Sequence, residues 1–421
     1  AQTVRTEGAV VVAYVRLSDN RLRAWVLDCQ GDVRHSQDLD VSGVAGELEQ
    51  KPVIGMPAAA EAPTEVASTE ASTETPTAEA PTETPSRSVG ALLDALYQQN
   101  ADARRSSRGP TISKHRSDVN TQYLRVLHRA LLEPLWPAIS ECMEGCGENT
   151  PLLFVPDDWL HKVAWAGLQD ADGIHLIQRH PVRVVPSLTI LGKLQSSHSQ
   201  PDLLHRPALV VGNPDGTLPC AQQEATELHT KLLERPENGS APALLIGAQA
   251  TRQAVFDGLY KAHMAHMACH GSGMNLFLHD KKLSMADVQG LGGRAPALAV
   301  LSACCSASGD MNAADGVVGL QRAFLVAGCL SLVVSPFTVN DEATPRLMAT
   351  FYDRLFAGED TSQALRGAML QAIGEDPDPS HWSTFVVVGR AVHLNSMHAF
   401  LAAAGLSRLV PKFDEAEMRD L

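Results

Sequence analysis

The chain is 421 residues long and 44% apolar, with a net charge of −14. That length holds two or three domains, and the excess of acid excludes a nucleic-acid binder that works by neutralising phosphates. No apolar run reaches membrane-spanning length and no signal-peptide pattern opens the chain, which starts at Ala1 rather than Met and so reads as a fragment of a longer protein.

In chain order, residues 9–15 and 23–28 are strand-like, and the turn Ser18-Asp19-Asn20 between them predicts a hairpin. A second turn at residues 28–32 makes residues 1–51 a β-rich N-terminal subdomain. Residues 52–88 are a loose repeat of Thr, Glu, Ala and Pro with almost no side chain large enough to pack. Such a tract cannot offset its ordering entropy by burial and is expected to be disordered, as a spacer or as a regulatory or cleavable loop. Residues 89–150 form a helical lead-in. Within it residues 89–97 show helical periodicity, and over 120–132 Leu124, Leu127, His128 and Leu131 share one face before Pro134 and Pro137 break the helix.

Residues 151–395 alternate between strands and helices. Strand-like runs fall at 152–156, 183–186, 208–214, 331–335 and 385–389, with helical stretches at 222–233, 250–260, 319–327, 342–356 and 362–373. This alternation predicts an α/β fold, a mainly parallel sheet with helices on both faces, next to the antiparallel and helical N-terminal region.

Two strand-like runs within residues 262–308 end abruptly in a reactive side chain. One reads Met264-Ala265-His266-Met267-Ala268-Cys269-His270-Gly271, the other Leu298-Ala299-Val300-Leu301-Ser302-Ala303-Cys304-Cys305. A buried parallel strand that delivers a group at its carboxyl edge has this form. Between them a short crossover helix is expected, capped by Ser284. Right-handed crossovers keep His270 and Cys304 at the same edge. A histidine beside a cysteine is a nucleophile–base arrangement, which points to a cysteine peptidase.

The eight cysteines lack a framework spacing, and reduced thiols in a cytoplasmic protein fit best. Cys142 and Cys146 have helical spacing but no second pair suited to zinc. On a strand, His266 and His270 share one face and His263 the other, so these three do not gather as ligands. No metal and no cofactor are expected.

Together these segments resemble the CHAT domain, a caspase-like, separase-related (clan CD) peptidase family often found with tetratricopeptide repeats. The resemblance covers roughly residues 89–390. It rests on the entry strand at 152–156, Leu176-Ile177-Gln178-Arg179, Val210-Val211-Gly212-Asn213-Pro214, Cys269-His270-Gly271, Leu301-Ser302-Ala303-Cys304, Gly319-Leu320-Gln321-Arg322-Ala323-Phe324 and His381-Trp382-Ser383-Thr384-Phe385. It implies a caspase-like fold with His270 as catalytic base and Cys304 as nucleophile. Cys305 departs from the family, which often has a glutamate there, and reads as a tolerated small residue, a decoy or a redox partner. Cys269 replaces a more usual Thr or Ser and reads as packing, and His266 as a core residue.

Gly271 has no Cβ, so its N–H can approach a scissile carbonyl and form an oxyanion hole with the N–H of Cys304. The resemblance to separase-like relatives makes Asp341 either a pocket acid for Arg or Lys or an N-cap for the helix that follows. Asp315 matches a commonly acidic position of the pocket or a nearby loop. Residues 396–421 resemble the opening of a SAM domain, the alternative being a plain amphipathic tail helix.

The function expected is a regulated cysteine endopeptidase of signalling, cell-death or immune-defence type, acting on a protein or peptide. Oligomerisation through the tail and control by a partner or repeat domain are expected with it, and neither nucleic acid nor membrane. The alternatives are a catalytically silent scaffold and a redox sensor built on Cys304 and Cys305.

Overall fold

The computed structural model describes residues 2–49, 110–196, 207–234 and 241–394, apart from 145, 148, 305, 307–309, 313–315, 338 and 377. Eleven strands form one sheet in the order β3-β2-β1-β4-β5-β16-β15-β12-β8-β6-β7. The first five are β1 (Val10–Ser18), β2 (Arg21–Leu27), β3 (Val33–Asp40), β4 (Leu152–Val155) and β5 (Val182–Val184). The other six are β6 (Ala208–Gly212), β7 (Ala243–Ile246), β8 (Met264–Ala268), β12 (Leu298–Ser302), β15 (Ser331–Val334) and β16 (Val386–Gly389). Every residue of β6, β8, β12 and β15 is buried, as strands covered by helices on both faces must be.

The expected hairpin is present: β1 and β2 pair antiparallel, and β3 continues the ribbon. That ribbon is not free-standing, because β1 also runs parallel to β4, with Val10 opposite Leu152. The Tyr14 hydroxyl donates to Leu131 O at 3.0 Å, tying β1 to the helix Pro110–Leu131. Glu7 meets Arg183 Nη1 at 2.7 Å in a site where Arg183 is 1% exposed. Burial alone would raise the Glu7 carboxyl, but Arg183, Gln195 and Arg390 outweigh it and hold it below the usual range. The N-terminal segment is thereby fastened to the middle of the sheet by hydrogen bonds and a buried ion pair.

The sheet changes sense at β1, between β2 and β4, and again at β16. β16 runs parallel to β5 but antiparallel to β15. The crossover from β8 to β12 holds more than the expected helix. The ribbon β9 (Gly271–Ser272), β10 (Asn275–Phe277) and β11 (Lys282–Ser284) comes first, and the helix Met285–Gln289 follows. Ser284 caps that helix, accepting from Asp287 N while the Asp287 carboxylate accepts from Ser284 N. The short pair β13 (Asp310–Asn312) and β14 (Gly316–Val318) precedes the helix Leu320–Val326.

Helices pack closely enough on this sheet to select residues. A Cβ on Gly212 would lie 2.5 Å from Ala225 Cβ, so the approach of the helix Pro219–Leu233 to the end of β6 requires glycine. No helix among the described residues is long and apolar enough to cross a membrane. The tract at 52–88, the expected helix at 89–97 and the tail at 396–421 lie outside the described residues.

Candidate active site

Register brings the two expected groups together. β8 and β12 are neighbours, parallel, with Ala268 opposite Ser302. His270 and Cys304 each follow two residues after those partners, so both leave the sheet at the same level of the same edge. Cys269 N donates to Ser302 O at 3.3 Å, which holds the two strand exits side by side. A Cβ on Gly271 would sit 3.0 Å from Ala303 Cβ and 3.1 Å from Cys304 O. The segment after the histidine therefore packs directly on the backbone of the cysteine, and only glycine permits that approach.

The turn that carries Cys304 is anchored from below. Ser306, fully buried, donates its hydroxyl to Leu301 O at 3.1 Å and accepts from Ser335 N at 2.9 Å. That joins the exit of β12 to the exit of β15. Cys304 itself is partly exposed, as a nucleophile needs to be, whereas Cys269 is 2% exposed and burial pushes its thiol up to about 12. The packing reading of Cys269 matches this placement. Cys305 and Asp315 lie outside the described residues.

A third segment reaches the site from the end of β6. Asn213 adopts φ 48, in the left-handed region that asparagine tolerates, and its N–H donates to Ala268 O at 2.9 Å. Its Oδ1 accepts from Leu218 N at 2.8 Å, closing the loop before the helix Pro219–Leu233. Pro214 O accepts from His279 Nδ1 at 3.1 Å, so the β10–β11 turn clamps the loop from outside. The loop then presents Thr217 Oγ1 at 2.9 Å and Asp215 Oδ2 at 3.8 Å to His270 Nε2. The His270 and Asp215 side chains are 45% and 40% exposed, so the group is open to substrate. Burial pushes the Asp215 carboxyl up, but the Thr217 hydroxyl, the Thr217 N–H and His270 outweigh it and leave it below its ordinary range.

Sequence reasoning passed over Asp215 and Thr217. The available signal was the turn-forming run Gly212-Asn213-Pro214-Asp215-Gly216 directly after a buried strand, at the edge where β8 and β12 also end.

Asp341 is not the cap of the helix that follows it. The helix begins at Thr344 with Ala343 at its cap position, and Asn340 Oδ1 closes the turn before it by accepting from Glu342 N at 2.9 Å and Ala343 N at 3.0 Å. The Asp341 side chain instead meets the Cys220 thiol and lies within electrostatic reach of His270 and Glu224. Burial, with Glu224 adding to it, raises the Asp341 carboxyl above its ordinary value although Cys220 and His270 pull it down. Burial and the Asp341 charge together raise the Cys220 thiol.

His266 does not join this edge. It is fully buried, with Nδ1 3.0 Å from the Tyr352 hydroxyl and Nε2 3.0 Å from Glu224 Oε1, the latter pair misaligned for a hydrogen bond. His263 is buried, its N–H donating to Pro207 O at 3.1 Å. No group of three or more metal-ligating side chains placed to hold an ion exists among the described residues.

Three comparisons bear on this arrangement. A family model described as the CHAT domain matches residues 121–390. Tetratricopeptide repeat protein 28 of Homo sapiens is 26% identical over 345 residues, covering 67% of this chain. Its Mus musculus counterpart is 26% identical over 348 residues, with the same coverage. In both, the match spans only 14% of the relative's length. Among solved structures, a chain of the Saccharomyces cerevisiae separase–securin complex superposes with a TM-score of 0.53 at 11% identity, covering 93% of this chain and 31% of that one. At that identity the likeness is one of fold, and the fold is caspase-like.

Proposed function

This chain belongs to the CHAT domain family, and from that premise we propose that it is a cysteine endopeptidase working through His270 and Cys304. The observation that carries the proposal is the register of β8 and β12, which sends a histidine and a cysteine off adjacent strands at one level. An open, partly exposed thiol beside an imidazole suits acyl transfer.

The steps balance as follows. His270 takes the proton of the Cys304 thiol as the sulfur attacks the scissile carbonyl carbon. The C–N bond then breaks, and His270 hands the proton to the departing amine, leaving an acyl-thioester. Water, deprotonated by His270, hydrolyses the thioester and restores the thiol. The N–H groups of Gly271 and Cys304 are the proposed oxyanion donors, each worth about 3 to 4 kcal/mol in comparable hydrolases. Gly271 supports this, since it carries no side chain of its own and its backbone lies directly against that of Cys304.

Asp341 is the proposed pocket acid, with Asp315 as a second, selecting a basic side chain in the substrate. Its partly buried carboxyl near His270 supports the first assignment. A regulated peptidase of cell-death or defence signalling, acting in the cytoplasm, is proposed on the family resemblance. Control by a repeat domain is proposed from the tetratricopeptide relatives, and the division into residues 1–51, 52–88, 89–150, 151–395 and 396–421 is proposed from the composition and patterning of the sequence.

The test is labelling by a thiol-reactive peptide ketone with Arg at the position that precedes the warhead. Labelling at Cys304 that disappears in Cys304→Ala and in His270→Gln is the expected result. Equal labelling of the His270→Gln variant, or cleavage undiminished in Cys304→Ala, overturns the proposal.

A further inference from the structure

The loop after β6 does more than lie near His270. It presents a carboxylate and a hydroxyl in a fixed order, and that order has a consequence for where the imidazole carries its proton.

The Asp215 carboxyl sits below its ordinary range, so it is an ionised, acceptor-only group at neutral pH. Its Oδ1 is 2.8 Å from Thr217 Oγ1 and 3.1 Å from Thr217 N. A threonine hydroxyl has one hydrogen, and with a carboxylate as neighbour that hydrogen is donated to Oδ1. Thr217 Oγ1 therefore turns only lone pairs towards His270 Nε2, 2.9 Å away. A contact of that length to a lone pair requires hydrogen on Nε2.

We infer that Thr217 is a positioning residue that fixes His270 as the Nε2–H tautomer, leaving Nδ1 as the nitrogen that exchanges the proton with Cys304. This inference rests on the peptidase reading only for its catalytic meaning, since the tautomer itself follows from Asp215 and Thr217. The same geometry serves the protonated ring. When Nδ1 takes the thiol proton, the Nε2–H bond to Thr217 persists, and the Asp215 carboxylate at 3.8 Å opposes the new charge. The ring need not turn between the two steps. Asn213, held to Ala268 O, and His279, held to Pro214 O, fix the loop that makes this possible.

The test uses Thr217→Val, which keeps the shape and removes the hydroxyl, and Thr217→Ser, which restores it. In the Cys304→Ala background, above the histidine titration range, nitrogen NMR of the imidazoles reads the tautomer directly, with His270 assigned by its loss in His270→Gln. The expected spectrum shows His270 protonated at Nε2, a mixture or the Nδ1–H form in Thr217→Val, and the original form in Thr217→Ser. In the Cys304 protein, kcat on a basic peptide should fall about tenfold or more in Thr217→Val with KM nearly unchanged, and recover in Thr217→Ser. An Nδ1–H tautomer in the starting protein, or no change in Thr217→Val, overturns the inference. A protein that cleaves nothing yet shows the tautomer and its loss overturns the peptidase reading and leaves the positioning role standing.

Discussion

His266 and His270 lie four residues apart on one stretch of chain and carry the same two kinds of partner. His266 has the carboxylate of Glu224 and the hydroxyl of Tyr352, and His270 has Asp215 and the hydroxyl of Thr217. Their surroundings differ completely. His266 sits mid-strand and is sealed, while His270 stands past the strand end and is 45% exposed. Partners of one chemical kind accompany a sealed imidazole in one place and an accessible one in the other, and what separates them is position along the strand. A buried imidazole held by a buried carboxylate cannot exchange a proton with substrate. One at the open edge can.

That contrast is tested most severely at the open end. His270→Gln should lower peptide cleavage by roughly a thousandfold and leave stability within about 0.5 kcal/mol, as for an exposed side chain. Activity and urea denaturation measured on one preparation check both halves, and a large stability loss would remove the distinction. At the sealed end, Glu224→Ala removes a buried side chain packed beside His266 and should reduce stability by about 1 to 2 kcal/mol, while Cys304 still reacts with the peptide ketone. A loss below about 0.5 kcal/mol would mean that this close contact does not stabilise the fold. Tyr352→Phe should lose about 1 kcal/mol by the same denaturation, one hydrogen bond to a buried ring nitrogen.

The smallest effect belongs to pH. The Asp341 carboxyl is raised in the folded protein, so the folded state binds more protons than the unfolded one between the ordinary carboxylate value and the raised one. Stability from this group is therefore largest below the ordinary value and falls as pH rises through that window. Asp341→Asn should flatten this slope in Tm measured against pH, and an unchanged slope would count against a half-buried carboxyl.

Much of the site was legible because it is local. An apolar run that stops at a histidine, another that stops at a cysteine, and a Ser284 cap are all written in consecutive residues. The parallel alternation was equally readable, since β6, β8, β12 and β15 are buried on both faces and carry continuous apolar runs. The rest depends on pairs far apart in the chain. Whether β16 runs with or against β15, and whether β1 meets β4, is decided by neighbours that no local pattern names. Asp341 does not cap the following helix because that helix starts at Thr344, two residues later than its periodicity suggests. Thr217 and Asp215 gained a role only when the loop after β6 folded back onto Ala268.

The seam at β16 bears on how the molecule is made. β16 is the latest strand among the described residues, yet it lies between β5 and β15, so it joins two groups of five strands that touch through it. During synthesis, each group exists with a bare edge until residues 386–389 arrive. Neither edge is covered until those residues have emerged from the ribosome. Both edges present unpaired backbone groups suited to pairing with another nascent copy. A chain stopped before residue 386 would keep β8 and β12 as sequence but leave the sheet around them unsealed, which makes β16 a checkpoint on whether a chain carrying His270 and Cys304 closes its own sheet.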